Sequence, residues 1–272
     1  MATYGRRDSI EVFIEKLLDQ DYDLLLVQLI IVDQNDKISI DDLIDKYNEK
    51  LKIIHIKSKK RGLSYNRNLG INYADGQIIA FPDDDCYYYK DTLKIINSLF
   101  ENTEIDCYLG RIYDFDRECN VIREWRKEAY EIKWWNFYRS LSSITMFYRS
   151  DLKLLFDEKF GVGAKFGSCE DADFIVHILK EKKKIVYNPS IVVWHPIESV
   201  NDLTVDKIKR YGYGFGAFCR KNLNIYIIVL FFAVISFHLL DLFKHTIGFD
   251  FAYAKKKIIY LKSRMYGFYK FD

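Results

Sequence analysis

Apolar residues at Ile10, Phe13, Ile14, Leu17 and Leu18 recur at helical spacing, so an amphipathic helix is expected there, with Asp8 or Ser9 as its N-cap. The run LLLVQLIIVD is almost unbroken Leu, Ile and Val up to Asp33, the pattern of a buried parallel strand. SIDDLIDKYNE then reads as a helix, LKIIHIKS as a strand and GLSYNRNLGINYAD as a third helix. GQIIAFPDDD follows as a third strand that stops at its carboxylates. Strands alternating with helices imply an α/β layered fold around a largely parallel sheet. From residue 105 the strands are less regular: DCYLGRIYDF, SSITMFYRS and KIVYNPSIVVWHP, with the helix EDADFIVHILKEKKK before the last. Pro189 and Pro196 bracket SIVVWH, a short strand expected to end at His195.

Two stretches break the pattern. The opening MATYGRR has the character of a loop that follows a strand, so the first, central strand of a three-layer sheet is expected to be truncated or to lie upstream. Near the other end, residues 225–243 (IYIIVLFFAVISFHLLDLF) approach the length needed to span a bilayer, interrupted by Ser236, His238 and Asp241. Basic residues flank both sides, Arg220 and Lys221 before, Lys244 and Lys255 to Lys257 after, so no orientation is readable. A span, a helix lying in the interface and a buried core helix all remain open. Just upstream, KRYGYGFGAFCRK alternates glycines at 212, 214 and 216 and could close over an acceptor site.

Composition narrows the class. With 272 residues, 49% apolar and 29% charged, the chain is globular and long enough for a sizeable core. Aromatics reach 17%, including 21 Tyr, which suits half-wet surfaces such as sugar sites or membrane interfaces. The net charge of +2 hides an asymmetry: residues 206–272 hold 12 Lys and Arg against 4 Asp, about +8, so the rest is about −6. That distribution favours a localised partner such as a membrane surface and argues against nucleic acid. Five scattered cysteines without C-x-x-C spacing disfavour a disulfide framework or zinc site and suit a reducing, cytoplasmic compartment. The opening residues contain no apolar signal-peptide core.

The chemistry concentrates at strand ends, where open α/β sheets bind ligands. Asp83, Asp84 and Asp85 repel one another unless a cation holds them, and closely spaced oxygens suit Mg²⁺ or Mn²⁺. A solvated turn capping the next helix is the alternative. Glu170, Asp171 and Asp173 open a helix after the Gly-rich FGVGAKFGS; they serve either as simple helix-terminal charges or as a general base at a cleft lip. His195 is either structural or the nitrogen ligand of a mixed N/O site. Arg61 and Arg67 could hold phosphate around a helix start.

In this order, ATYGR, IIVDQND, GLSYNRNLGI, IIAFPDDDCYY, the ED of GSCEDADF, and WHP resemble the family 2 glycosyltransferases of the GT-A fold, of the bacterial capsule, O-antigen or exopolysaccharide type. The likeness spans residues 2–200 and implies a three-layer α/β/α sandwich over residues 1–205, while the charge and apolar run of residues 206–272 mark a basic, hydrophobic membrane-associating tail. It implies a nucleotide-sugar donor, most often UDP-linked, and a divalent metal, Mn²⁺ or Mg²⁺. Carried over by position, Thr3, Tyr4 and Arg6 line the nucleotide pocket, Asp33 meets uridine, and Arg67 supplies a basic contact. Asp83 and Asp85 match the D-x-D motif, with Asp85 as direct metal ligand, Asp83 or Asp84 toward ribose or metal, and His195 as a further ligand. Asp171 matches the catalytic base, with Glu170 as its rival. The expected reaction is a single inverting transfer to a glycan or polyprenyl-diphosphate-linked acceptor at the inner face of the plasma membrane. The Q-x-x-R-W motif of processive synthases is absent from the sequence. A nucleotidyltransferase and a degenerate nucleotide-sugar-binding scaffold are the alternatives.

Overall fold

The structure is a computed structural model that describes residues 1–197 and 204–271. The chain forms two compact units that do not follow chain order. Met1–Arg61, Tyr65–Leu155 and His177–Glu198 make the first; Gly62–Ser64, Phe156–Val176 and Ser199–Asp272 make the second.

The first unit begins with β1 (Ala2–Thr3), α1 (Asp8–Leu18), β2 (Gln28–Asp33), α2 (Asp41–Tyr47) and β3 (Lys52–Lys57). Its strands form a parallel sheet in the order β1-β2-β3. The helix α1 buries Ile10, Phe13, Ile14 and Leu17, as its periodicity predicts. Its cap differs from expectation: Arg7 precedes the first turn, offers no side-chain cap and pairs with Asp42 instead. Asp8 and Glu11 then sit inside the first turn, where the helix dipole favours negative charge. The predicted strand from Leu24 also starts late. The Asp23 carboxylate accepts from the Leu25 amide at 3.0 Å, which curls Leu24–Leu26 into a 3₁₀ turn and leaves Leu25 and Leu26 exposed. β1 has only two residues and lies at the edge of its sheet.

The first unit continues through α3 (Leu63–Ile71, whose first residues belong to the second unit), β4 (Ile78–Ala80), β5 (Tyr87–Tyr88), α4 (Thr92–Glu101) and β6 (Cys107–Asp114). Then come β7 (Cys119–Asn120), β8 (Tyr130–Glu131), β9 (Met146–Arg149), α5 (Glu170–Lys180, begun in the second unit) and β10 (Ile185–Trp194). The second sheet runs β4-β9-β6-β10-β5, with β7 on β6 and β8 on β10. Among the described residues, only β6 and β10 are parallel neighbours in it, so the largely parallel arrangement expected describes the first sheet and not the second. No ladder joins the two sheets among the described residues, and a groove of about 690 Å³, lined by apolar and polar residues alike, lies between β2 and β4.

Pro189 does not break the last strand. β10 runs from Ile185 to Trp194, and its register with β6 shifts between Tyr187 and Val192. A bulge tolerates proline because the ladder is already interrupted there. Asn188 supports it by accepting from the Ser190 amide at 3.0 Å. Gly110 on β6 makes room, since a Cβ there would lie 2.4 Å from the Ile191 carbonyl oxygen. His195 thus falls just past the strand rather than ending it.

The second unit carries α6 (Val205–Lys221), α7 (Ile225–Ile247) and α8 (Phe251–Lys270). Thr204, Asn224 and Asp250 cap them, each accepting from an amide three residues on. Each such cap is worth about 1 kcal/mol. The alternating glycines expected in a closing segment lie inside α6, where Gly212 and Gly216 permit close approach of α8 and Gly214 makes room for Ser168. A Cβ at Gly212 would meet the Ser263 Cβ at 2.4 Å, and one at Gly216 the Arg264 carbonyl oxygen at 2.0 Å. At the end of α6 the Lys221 ammonium bridges Asp157 (2.8 Å) and Asp173 (2.7 Å), and Asn222 donates to the same Asp173 at 2.8 Å. All five cysteines are free thiols, and Cys86, Cys107 and Cys219 are buried.

Candidate active site

The parallel ladder sets Asp33 at the C-terminal end of β2, opposite Lys57, and it is only 4% exposed. One carboxylate oxygen accepts from the Asn35 amide at 2.8 Å, and the other lies 3.1 Å from Nε2 of His55. His55 in turn places Nδ1 3.5 Å from Asp41. Opposite, the Gly5 amide donates to Asn35 at 2.6 Å, with Gly5 in the left-handed region at φ +74°. The Tyr4 ring is exposed and carries the Arg61 guanidinium 4.0 Å above it, while Arg61 also bonds Asp36. This gives a flat, half-open wall with hydrogen-bonding groups at its rim, a suitable shape for a base and ribose.

The acidic triplet leaves β4 through Phe81 and Pro82, and each carboxylate has its own set of partners, with Arg6 shared between two of them. Asp83 accepts from Arg67 at 2.8 Å; this guanidinium is buried and also reaches Ser143 at 3.0 Å. Asp84 accepts from the Thr3 hydroxyl at 2.7 Å and lies 3.3 Å from the Arg6 guanidinium. Burial raises the Asp84 carboxyl above its ordinary value, against the pull of Thr3 and Arg6. Asp85 pairs closely with the same Arg6 guanidinium and faces Nε2 of His195 at 3.7 Å. The other nitrogen, Nδ1 of His195, lies 2.8 Å from the Pro196 carbonyl oxygen, which orients the ring with Nε2 toward Asp85. Repulsion among the three carboxylates is therefore met by two arginines and a hydroxyl.

The donor set can be tested for a cation. Among the described residues no three acidic, His or Cys side chains gather in a metal-binding group. Asp85 and His195 do present one oxygen and one nitrogen to a common space, and Asp84 adjoins them. Mg²⁺ characteristically takes one or two protein carboxylates and fills its remaining positions with phosphate oxygens and water. The residues thus fit a cation shared with a diphosphate better than an all-protein cage. Asp83 is turned to Arg67.

Glu170 and Asp171 lie in the first turn of α5, within the second unit, where Asp171 accepts from the Ala172 amide at 2.7 Å. Asp173 is buried in the Lys221 network. His55 is the site residue that sequence reasoning passed over, because in KIIHIK it reads as one position of a strand; its pairing with Asp33 depends on the register of β2 and β3. Just past the triplet, Tyr87 stacks on Trp194 at 4.6 Å, whereas Tyr88 is core.

The model of glycosyl transferase family 2 matches residues 1–162. The chain belongs to that family. Among curated proteins it is 26% identical over 188 residues to an uncharacterised glycosyltransferase of Methanocaldococcus jannaschii, covering 68% of this chain and 64% of that protein. It matches the poly(ribitol-phosphate) beta-N-acetylglucosaminyltransferase TarS of Staphylococcus aureus over 40% of its own length and 19% of the relative's, also at 26% identity. The chain therefore spans less than two thirds of either relative. Among solved structures, the mannosyltransferase of Pyrobaculum calidifontis in complex with GDP-Man and Mn²⁺ superposes with a TM-score of 0.65 at 12% identity, over 99% of this chain and 85% of that one. These likenesses place the architecture in the GT-A-type α/β fold, with an apolar C-terminal helix.

Proposed function

We propose that this family 2 member is an inverting glycosyltransferase that moves one sugar from a UDP-linked donor to a hydroxyl of a polyprenyl-diphosphate-linked acceptor. It would work at the inner face of the plasma membrane in surface-polysaccharide synthesis, with residues 1–205 carrying the chemistry and 206–272 the membrane contact. One observation carries the reading: Thr3, Arg6, Asp83, Asp84, Asp85, Arg67 and His195 converge beside the Asp33–His55 pair. Asp33 and the Tyr4 wall suit the nucleoside. Arg6 suits the diphosphate, whose negative charge grows as the sugar departs through an oxocarbenium-like state. Asp85 and His195 would hold Mn²⁺ or Mg²⁺, which supplies Lewis-acid neutralisation of that charge. The relative complexed with GDP-Man and Mn²⁺ supports the same pairing of nucleotide sugar and cation.

In this scheme Asp171 removes the proton of the acceptor hydroxyl during attack, with Glu170 beside it in the same helical turn. A single displacement inverts the anomeric carbon. The deciding experiment screens nucleoside-diphosphate release from a set of nucleotide sugars with Mn²⁺, in the full chain and in Asp85→Ala and Asp171→Ala. The expected result is loss of cation-dependent donor binding in the first, and retained donor binding with loss of turnover in the second. Pyrophosphate release would identify a nucleotidyltransferase instead, and no release from any donor would leave a binding scaffold.

A further inference from the structure

We infer that α7 docks lengthwise in the surface of an anionic lipid bilayer as an in-plane helix and does not cross it. The helix has 23 residues and is long and apolar enough to cross. At 1.5 Å per residue it measures about 35 Å, against a hydrocarbon core of about 30 Å. Length and composition therefore leave spanning and lying flat equally open, and the contacts of α7 within its own unit decide between them.

One face of α7 is committed along its length to α8. Phe231 packs against Phe268 at 5.0 Å, His238 stacks on Tyr260 at 5.3 Å, and His245 lies against Tyr253 at 4.0 Å. The steps of seven on α7 are answered by steps of seven to eight on α8, the signature of an antiparallel hairpin. Between them, the Asp241 carboxylate bonds the Lys257 ammonium at 2.6 Å, and both side chains are mostly shielded. α8 itself cannot enter hydrocarbon. It carries Lys255, Lys256, Lys257, Lys262, Arg264 and Lys270 within one helix, and each Lys or Arg held at mid-bilayer is strongly unfavourable. α8 is also bound to α6 through the glycine contacts described above. To stand across a bilayer, α7 would have to leave α8, strip Asp241 of its cation and carry the bare carboxylate inward.

Among the described residues, nothing covers the opposite face, which is a continuous stripe. Ile225, Val229, Phe232, Leu240, Phe243 and Ile247 are each at least 60% exposed and fall on one side at helical spacing. Phe249 and Phe251 extend it past the helix end. The occupant follows from charge and shape: the stripe is a long apolar ridge, and the exposed ionic residues described in α7, α8 and the turn between them are four cations, Lys244, Lys255, Lys262 and Lys270, against one anion, Asp250, which caps α8. A ridge of Phe, Leu and Ile accompanied by lysines matches the acyl boundary beneath anionic headgroups.

This inference rests on the membrane part of the proposed function, but its test reads no sugar transfer, so either can fail while the other stands. The full chain is floated with vesicles of phosphatidylcholine alone and of phosphatidylcholine with one quarter phosphatidylglycerol. The expected result is binding to the anionic vesicles, weakened at least tenfold by Phe232→Glu with Leu240→Glu, while the circular dichroism melt is unchanged. Depth is then read by quenching with lipids brominated at shallow or deep acyl positions, in separate Val229→Trp, Ser236→Trp and Phe243→Trp proteins. Equal, shallow quenching at all three supports the in-plane helix. Deep quenching confined to Ser236→Trp would establish a span and overturn the inference. No flotation, with concentration-dependent dimerisation abolished by the same double substitution, would assign the stripe to a second copy and also overturn it.

Discussion

At the scale of the residue, Arg6 is the side chain on which most depends. Its guanidinium contacts Asp84 and Asp85 together, and would compete with a divalent cation for the charge of those carboxylates. Arg6→Ala is expected to raise Mn²⁺ affinity in the absence of donor about tenfold, because a competing cation worth about 1.5–3 kcal/mol of charge-assisted bonding is removed. Donor affinity should fall by a similar factor, since the diphosphate loses its partner; titration calorimetry with each ligand reads both. The aspartates themselves were legible as chemistry because three like charges after a buried apolar run need a reason. His55 was not, because nothing local distinguishes it from a strand residue packed by its neighbours. Arg67 was legible only as a basic residue. That it turns inward to Asp83 and Ser143, 2% exposed, depends on packing from residues 76 positions apart.

Among the elements, the α6–α8 contact is the one where a small change should do the most. Gly216→Ala places a methyl 2.0 Å from a backbone oxygen that cannot rotate away. Overpacking usually costs about 1–3 kcal/mol, and a backbone obstacle belongs at or above the top of that range. The expected result is a thermal midpoint lower by several degrees, or loss of α8 docking, read by calorimetry and by protease cleavage within 251–270. Sequence periodicity placed α1, α2, β3, β6 and α5 within a few residues. It failed where local hydrogen bonding or a neighbouring strand overrode composition. Asp23 curled three leucines that look like strand, and Gly110 with Asn188 let a strand continue through Pro189. The alternating glycines read as a segment that could close over an acceptor site, because the partner of Gly212 and Gly216, α8, lies some fifty residues away and cannot be seen locally.

For the molecule as a whole, stability is tied to a few ionic contacts in the second unit. Lys221 is a quarter exposed and holds two carboxylates, so Lys221→Met leaves both without their cation. Breaking a fully buried pair costs about 3–5 kcal/mol, and the partial exposure here reduces the expectation to about 2 kcal/mol. Burial alone would raise Asp157, but the bonds from Lys221 and the Lys159 amide hold it below the ordinary carboxylate value. A folded-state value lower than the unfolded one stabilises above the unfolded pKa and is lost as pH falls through the folded one. Acid titration of the melting midpoint should therefore show a loss below about pH 4, diminished in Asp157→Asn. The order of motifs along residues 2–200 was enough to read the family. The two-unit organisation was not, because residues 156–176 cluster with helices that begin thirty residues later.

The buried thiols give each unit its own clock. Cys107 in the first and Cys219 in the second are fully inaccessible, and burial pushes both thiols far above their ordinary range. Neither can react with an alkylating reagent until its surroundings open, so pulse alkylation with mass spectrometry should time the opening of the two units separately. Single-rate labelling of both cysteines would mean that the units open as one; Cys219 reacting first, and faster still in Lys221→Met, is the expected order.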